Sequence, residues 1–161
     1  MLKQINNENM HKFVEMSQKY EDEFSPLTGA KKDAKGFYPV STPIDETHLG
    51  YFYCTGANHQ EIGFAIISVE KEPYEVCEFY IMQEYRKIGA GQDLACALFN
   101  MFPVNWCVKQ LYEAKNANAF WISVISKYTG YDFTQRLYED EKWGKVYIQE
   151  FSSRKLVSTN E

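Results

Sequence analysis

The sequence is poor in features that mark several large protein classes. Its 161 residues hold no apolar run near the roughly 18 residues that cross a bilayer. The stretch from Met1 to Glu8 lacks the apolar segment of a signal peptide. A single cytoplasmic domain without a membrane partner is therefore expected. Cysteines number four, at 54, 77, 96 and 107, with no Cys-x-x-Cys pair. Neither a zinc site nor a dithiol redox centre is expected, and the thiols should be reduced and mostly buried. His11, His48 and His59 have no partners at ligand spacing, so each reads as ordinary surface and no metal is expected. Positive charge is outnumbered, 17 Lys and Arg against 22 Asp and Glu, for a net charge of −5. A nucleic-acid partner would require a basic face, so that class is disfavoured. An acidic balance suits a cationic amine substrate, although most acidic proteins are acidic for solubility. Internal repeats and low-complexity segments are absent as well.

What remains is a globular composition, 45% hydrophobic and 24% charged, whose 16% aromatic content favours strands and an aromatic core. Met10, Phe13, Val14, Tyr20 and Phe24 recur at helical spacing, which predicts an amphipathic helix from Glu8 to Phe24. Ser25 to Glu46, with Pro26, Gly29, Gly36, Pro39 and Pro43, reads as irregular loop with room for a short helical turn. A loop that long in a compact domain is commonly functional. Three strands are predicted next, His48 to Cys54, Ile62 to Val69 and Tyr74 to Met82, with links short enough for an antiparallel meander. The apolar run of the second implies burial on both faces.

From Gly89 the period changes. Ala90, Leu94, Ala97, Leu98, Met101 and Phe102 follow helical spacing until Pro103 stops it. A strand from Val104 to Tyr112, a helix from about Asn116 to Tyr128 ended by Gly130, and strands near Phe133 to Tyr138 and Lys145 to Phe151 complete one domain over 1–161. The polar residues after Ser152 are expected to fray. The order predicts an α+β fold on one mostly antiparallel sheet flanked by helices. The unit from Glu75 to Tyr112 should be a right-handed crossover between two parallel strands.

The segment Tyr85-Arg86-Lys87-Ile88-Gly89-Ala90-Gly91-Gln92 lies between a predicted strand and the start of a helix. Glycine lets backbone approach a ligand closely, and the first amides of a helix lack internal partners and carry positive partial charge. Together they can hold a diphosphate, with Arg86 and Lys87 adding charge. The plainer reading is a glycine turn that merely starts a helix. A P-loop is excluded because no Gly-Lys-Ser/Thr follows, and a dinucleotide fingerprint because GxGxxG is missing.

Arg86-x-x-Gly89-x-Gly91 after an apolar strand resembles the acyl-CoA motif of the GCN5-related N-acetyltransferases (GNAT). The likeness continues upstream through Glu75, Val76, Phe79 and Ile81, and downstream through Leu94, Ala95, Leu98 and Phe99. The stretch from Glu78 to Gly91, with Leu98 to Trp106, Phe120-Trp121 and Tyr128-Thr129, is similar to a sparsely characterised branch of predicted acetyltransferases. The resemblance covers about two-thirds of the chain, from Ile62 onward. It implies a GNAT-like sheet with a splayed parallel strand pair, acetyl-CoA as cosubstrate, and a primary amine of a small molecule or peptide as acceptor. A homodimer is a common assembly among similar proteins.

By this resemblance, backbone groups of Phe79, Tyr80 and Ile81 would pair with the pantetheine amides as an added strand does. Amides of Lys87, Ile88, Gly89, Ala90, Gly91 and Gln92 would hold the diphosphate. Asn116 and Trp121 would flank the pantetheine arm. Two departures stand out. Ala114 occupies the position where the family's second motif usually has Asn, with Asn116 as a shifted substitute. Trp121 replaces a Tyr that in many members protonates the leaving thiolate, and an indole cannot serve as that acid.

Acetyl transfer needs a neutral amine, a polarised thioester carbonyl and close positioning of the two. A backbone amide near Ile81 or Met82 is the natural oxyanion donor. Glu78 is the candidate general base. Alternation sets it on the face of Tyr80, opposite Phe79 and Ile81, where aromatic surroundings would raise its pKa. The competing reading is a solvated outer-face residue. Glu75, near the strand start, is a poorer candidate. Tyr128 and Tyr131 are candidate thiolate donors, with solvent as the alternative. Cys77 reads as packing, since no His lies nearby in sequence. Trp106, Phe120 and Trp121 could line a pocket or simply form core. The alternative function is a CoA-binding module without turnover.

Overall fold

A computed structural model describes residues 1–154. The mixed sheet has seven strands in the order β1-β2-β3-β4-β5-β7-β6. In chain order the elements are β1 (Leu2–Gln4), α1 (Met10–Thr28), β2 (His48–Cys54), β3 (Glu61–Ser68), β4 (Tyr74–Ile81), α2 (Ala90–Met101), β5 (Asn105–Leu111), α3 (Lys115–Thr129), β6 (Thr134–Asp140) and β7 (Gly144–Ser152). The pairings are antiparallel except for β4 with β5. The α+β architecture expected from the sequence is present, and β2 has the predicted bounds.

Two differences have local causes. β1 carries no sequence signal, because three residues are too few to show alternation; it is held by pairing Leu2 to Tyr53 and Gln4 to Tyr51. The first helix runs on past Phe24 through Pro26. Proline has no amide to donate to the carbonyl one turn back. The Ser25 hydroxyl donates to that carbonyl, Asp22 O, at 3.1 Å instead.

The sheet is covered on both faces, as alternation along β3 requires. Phe64 and Ile66 turn toward α1 and pack with Phe13, Met16, Phe52 and Tyr80. Ala65 and Ile67 turn toward α2 and α3 and pack with Leu94, Leu98, Phe99, Trp106 and Ile125. Each such large side chain contributes about 1.5–3 kcal/mol by leaving water. Trp106, a candidate for a pocket wall, is fully buried here, its indole N–H donating to Phe102 O at 3.2 Å.

Ser153, where fraying was expected to begin, is buried and donates from Oγ to Phe102 O at 2.9 Å. The rest of the expected tail, from 155, lies outside the described residues. Among the described residues, no helix is long and apolar enough to cross a membrane.

Candidate active site

The site begins with a failure of strand pairing. β4 and β5 run parallel over only three residue pairs, Tyr74–Trp106, Glu75–Cys107 and Val76–Val108. Beyond them β4 continues to Ile81 and β5 to Leu111 without pairing with each other. The cause lies in the register with β3: Ile66 faces Glu78 and Ile67 faces Val76, so Cys77 is an extra, bulged residue. A bulge bends its strand and increases the local twist. This one falls one residue past the last parallel pair, where the strands part. It also resets the alternation, so Val76 and Phe79 share the α3 face while Cys77 and Tyr80 share the α1 face.

The opening exposes backbone. The Met82 amide donates to Ile62 O at 2.9 Å. In an antiparallel ladder the hydrogen-bonded residues alternate. Tyr80 therefore turns its backbone groups to β3, and Phe79 and Ile81 turn theirs to the gap. Arg86 Nε donating to Ile81 O at 2.7 Å agrees with that direction. Two expectations are corrected. Tyr80 does not offer backbone groups to a ligand in the gap, and the Met82 amide is already engaged.

At the mouth of the gap a 3-10 turn over Gln83–Tyr85 leads into α2. Lys87 and Gly89 take positive φ, 63° and 93°. This twists the chain so that successive amides before the helix point outward. The Arg86 amide donates to Gln83 O at 3.3 Å, and the next donation in sequence is from Asp93 to Gly89 O at 2.9 Å. Among the described residues, the amides of Lys87, Ile88, Gly89, Ala90, Gly91 and Gln92 have no acceptor. A Cβ on Gly89 would meet nothing within 4 Å, so the turn is open. At Gly91 a Cβ would lie 3.0 and 3.1 Å from the Phe120 ring, so glycine is needed there for close approach.

Arg86 departs from its expected role. Its guanidinium makes a two-pronged ion pair with Glu23 of α1, at 2.6 and 2.7 Å. It also lies over the Tyr80 ring, 5.4 Å from the centroid. Its side chain ties the loop to α1 and β4 instead of standing free as an anion ligand.

Behind this mouth a cleft of about 310 Å³ runs between the parted strands. Its walls include Phe79, Trp121, Gln110, Val146 and, from α1, Tyr20 and Phe24. Trp121 packs edge-on against Phe79, with centroids 4.8 Å apart. The β5 wall is fixed by a reciprocal amide pair, Gln110 Nε2 to Gln149 Oε1 at 2.6 Å and Gln149 Nε2 to Gln110 Oε1 at 3.0 Å.

Glu78 lines the cleft and is only 6% exposed. Its Oε1 is buried with no hydrogen-bond partner. Burial pushes its pKa up to about 7, with Glu21 adding to the rise and Thr42 opposing it. The solvated outer-face reading of Glu78 is thereby overturned. Glu75 is held by Lys109 at 3.1 Å.

Other expected residues fall elsewhere. Tyr128 donates to Asn100 Oδ1 at 2.8 Å and packs on Phe99 and Phe151, between α2 and the joined end of the strands. Burial pushes its pKa up to about 12. It does not line the cleft, so the structure does not bring it to Glu78. Tyr131 is exposed beyond α3. Asn116 is exposed on the first turn of α3. The buried asparagine of α3 is Asn118, whose Nδ2 donates to Tyr112 O at 3.0 Å while Oδ1 has no partner. Its three- and seven-residue spacing to Trp121 and Ile125 was the available signal.

This fold, with its parted parallel strand pair, is similar to that of solved N-acetyltransferases. Several solved structures share it. A structure described as a GNAT-family acetyltransferase from Bacteroides thetaiotaomicron superposes with a TM-score of 0.64 at 14% identity, over 94% of this chain and 86% of that one. The ribosomal-protein-S18-alanine N-acetyltransferase of Escherichia coli gives 0.60 at 13%, over 94% and 92%. A spermidine N-acetyltransferase variant from Vibrio cholerae gives 0.64 at 13%, over 100% and 99%. No family model and no curated protein matches the sequence.

Proposed function

We propose that the chain is an N-acetyltransferase that moves an acetyl group from acetyl-CoA directly to a primary amine. The observation that carries this reading is the parting of β4 and β5 beside a run of unpartnered amides from Lys87 to Gln92. The residues present suit such a cosubstrate. The amides and the positive end of α2 suit a diphosphate. The outward backbone groups of Phe79 and the outward Ile81 amide suit an extended pantetheine arm.

Glu78 would take a proton from the acceptor ammonium, and a base near pKa 7 is matched to neutral pH. The neutral amine then attacks the thioester carbonyl. The new C–N bond forms and the C–S bond breaks; the nitrogen gives up its remaining extra proton to solvent, and the thiolate takes a proton from solvent. Phe79 and Trp121 line the gap with apolar surface. That the named structural neighbours act on amines adds support.

A second reading, a module that binds CoA without turnover, rests on Trp121 at the usual Tyr position and on Tyr128 lying outside the cleft. One experiment separates the two. The protein is incubated with acetyl-CoA and a panel of primary amines, and free thiol is measured. Amine-dependent thiol release supports the enzyme. CoA binding with no release across the panel overturns it in favour of the module.

A further inference from the structure

Glu78 is not the only buried carboxylate on the α1 side of the sheet. Glu21 belongs to the inward stripe of α1 with Phe13, Ser17 and Phe24, and it is 5% exposed. Glu78 turns toward the same space because the Cys77 bulge sets it on the α1 face. Two carboxylates so enclosed are not both ionised without cost, because neither is screened by water. The groups packed around Glu78 do not neutralise it. They are Tyr20 and Glu21 from α1, Cys77 from β4 itself and Thr42 from the loop over 29–47, while β3 offers the apolar Ile66 opposite.

The two carboxylates differ in their partners. Glu21 Oε1 accepts a short hydrogen bond from the exposed Ser41 hydroxyl, at 2.5 Å. Thr42 hydrogen-bonds the Glu78 carboxylate, but Glu78 Oε1 has no partner. A hydrogen bond donated to a carboxylate favours its ionised form.

We infer that Glu21, anchored by Ser41 of the 29–47 loop, is a positioning residue whose enclosed carboxyl group adds to the proton affinity of Glu78. It touches no reacting atom and acts through its neighbour. Since Ser41 sits on the loop that covers this side, any acceptor that displaces the loop would loosen the Ser41 bond and with it the hold on the base. The inference rests on the reading of Glu78 as general base.

The test compares Glu21→Gln and Ser41→Ala with the unaltered protein. Glu21→Gln keeps an acceptor for Ser41 but removes the charge. Ser41→Ala changes an exposed side chain and should leave folding intact. Two readouts are taken, the pH profile of kcat/KM and direct carboxyl-carbon NMR titration of Glu78 without any ligand. In Glu21→Gln the Glu78 titration and the acid limb of the profile should both fall by roughly one pH unit, and in Ser41→Ala by less, in the same direction.

A residue that merely supports α1 would lower stability without moving either midpoint. Unmoved midpoints in both variants overturn the inference, and Ser41→Ala keeps the test open if Glu21→Gln fails to fold. If Glu78→Gln retains full activity while the NMR midpoint still shifts in Glu21→Gln, the electrostatic coupling stands and the general-base reading falls.

Discussion

Replacing Glu78 by Gln should stabilise the protein at alkaline pH and do little in acid. The folded-state pKa of about 7 stands against an ordinary 4.5. Below 4.5 the carboxyl is neutral in both folded and unfolded chains, and no penalty exists. Between 4.5 and 7 the unfolded chain ionises first, so folded stability falls as pH rises. Above about 7 the loss is complete. At 1.36 kcal/mol per pH unit, that span corresponds to roughly 3 kcal/mol. Glu78 is almost wholly enclosed, so screening by solvent reduces this little.

Gln matches the shape of the neutral acid and carries no charge at any pH. The gain from Glu78→Gln should therefore grow by roughly 2–3 kcal/mol between about pH 5 and about pH 8.5. Urea unfolding of both proteins across that range measures it, read from midpoints at constant slope. A gain independent of pH would refute the reasoning, because it would mean that Glu78 ionises as freely in the fold as outside it. A gain confined to acid would show the opposite sign of shift.

Three further outcomes are expected. Gly91→Val places a Cβ 3.0 Å from the Phe120 ring; a saturating acetyl-CoA level that adds about 2.7 kcal/mol at 100 times Kd should then give less than half that shift in a thermal melt. Arg86→Met removes a partly exposed ion pair with Glu23 and the tether to Ile81 O; the loss of stability should be about 1 kcal/mol, while CoA affinity measured by calorimetry should fall several-fold through loss of loop order. Burial pushes the Cys77 and Cys107 thiols up to about 11; with a thiol reagent at pH 8 they should react far more slowly in the folded protein than in urea.

Much of this site is legible in the chain, for a reason that can be traced residue by residue. The anion loop is local. Gly89 and Gly91 lie within a few residues of the helix they open, and their spacing by itself implies an amide cluster. Glu78 can be placed on the α1 face because its relation to Phe79, Tyr80 and Ile81 is also local. The bulge at Cys77 is not legible, since a bulge exists only in the pairing with β3, and β4 alone shows an unbroken run. The commitment of Arg86 to Glu23 spans 63 residues, and nothing in the motif forecasts it. Tyr128 suits a proton donor by its distance along α3, whereas its direction around the helix sends it to Asn100. Glu21 gives no signal of its own, because a charged residue on a helix usually faces water. Its carboxylate accepts from Ser41, in a loop with no periodic pattern to read.

The most direct test follows backbone amides by nitrogen–proton NMR while acetyl-CoA is added. The largest shifts are expected at Lys87 to Gln92, together with Phe79 and Ile81 along the parted edge of β4, with little change at Tyr80. Saturable shifts confined to another surface, or none at millimolar ligand, would contradict this expectation.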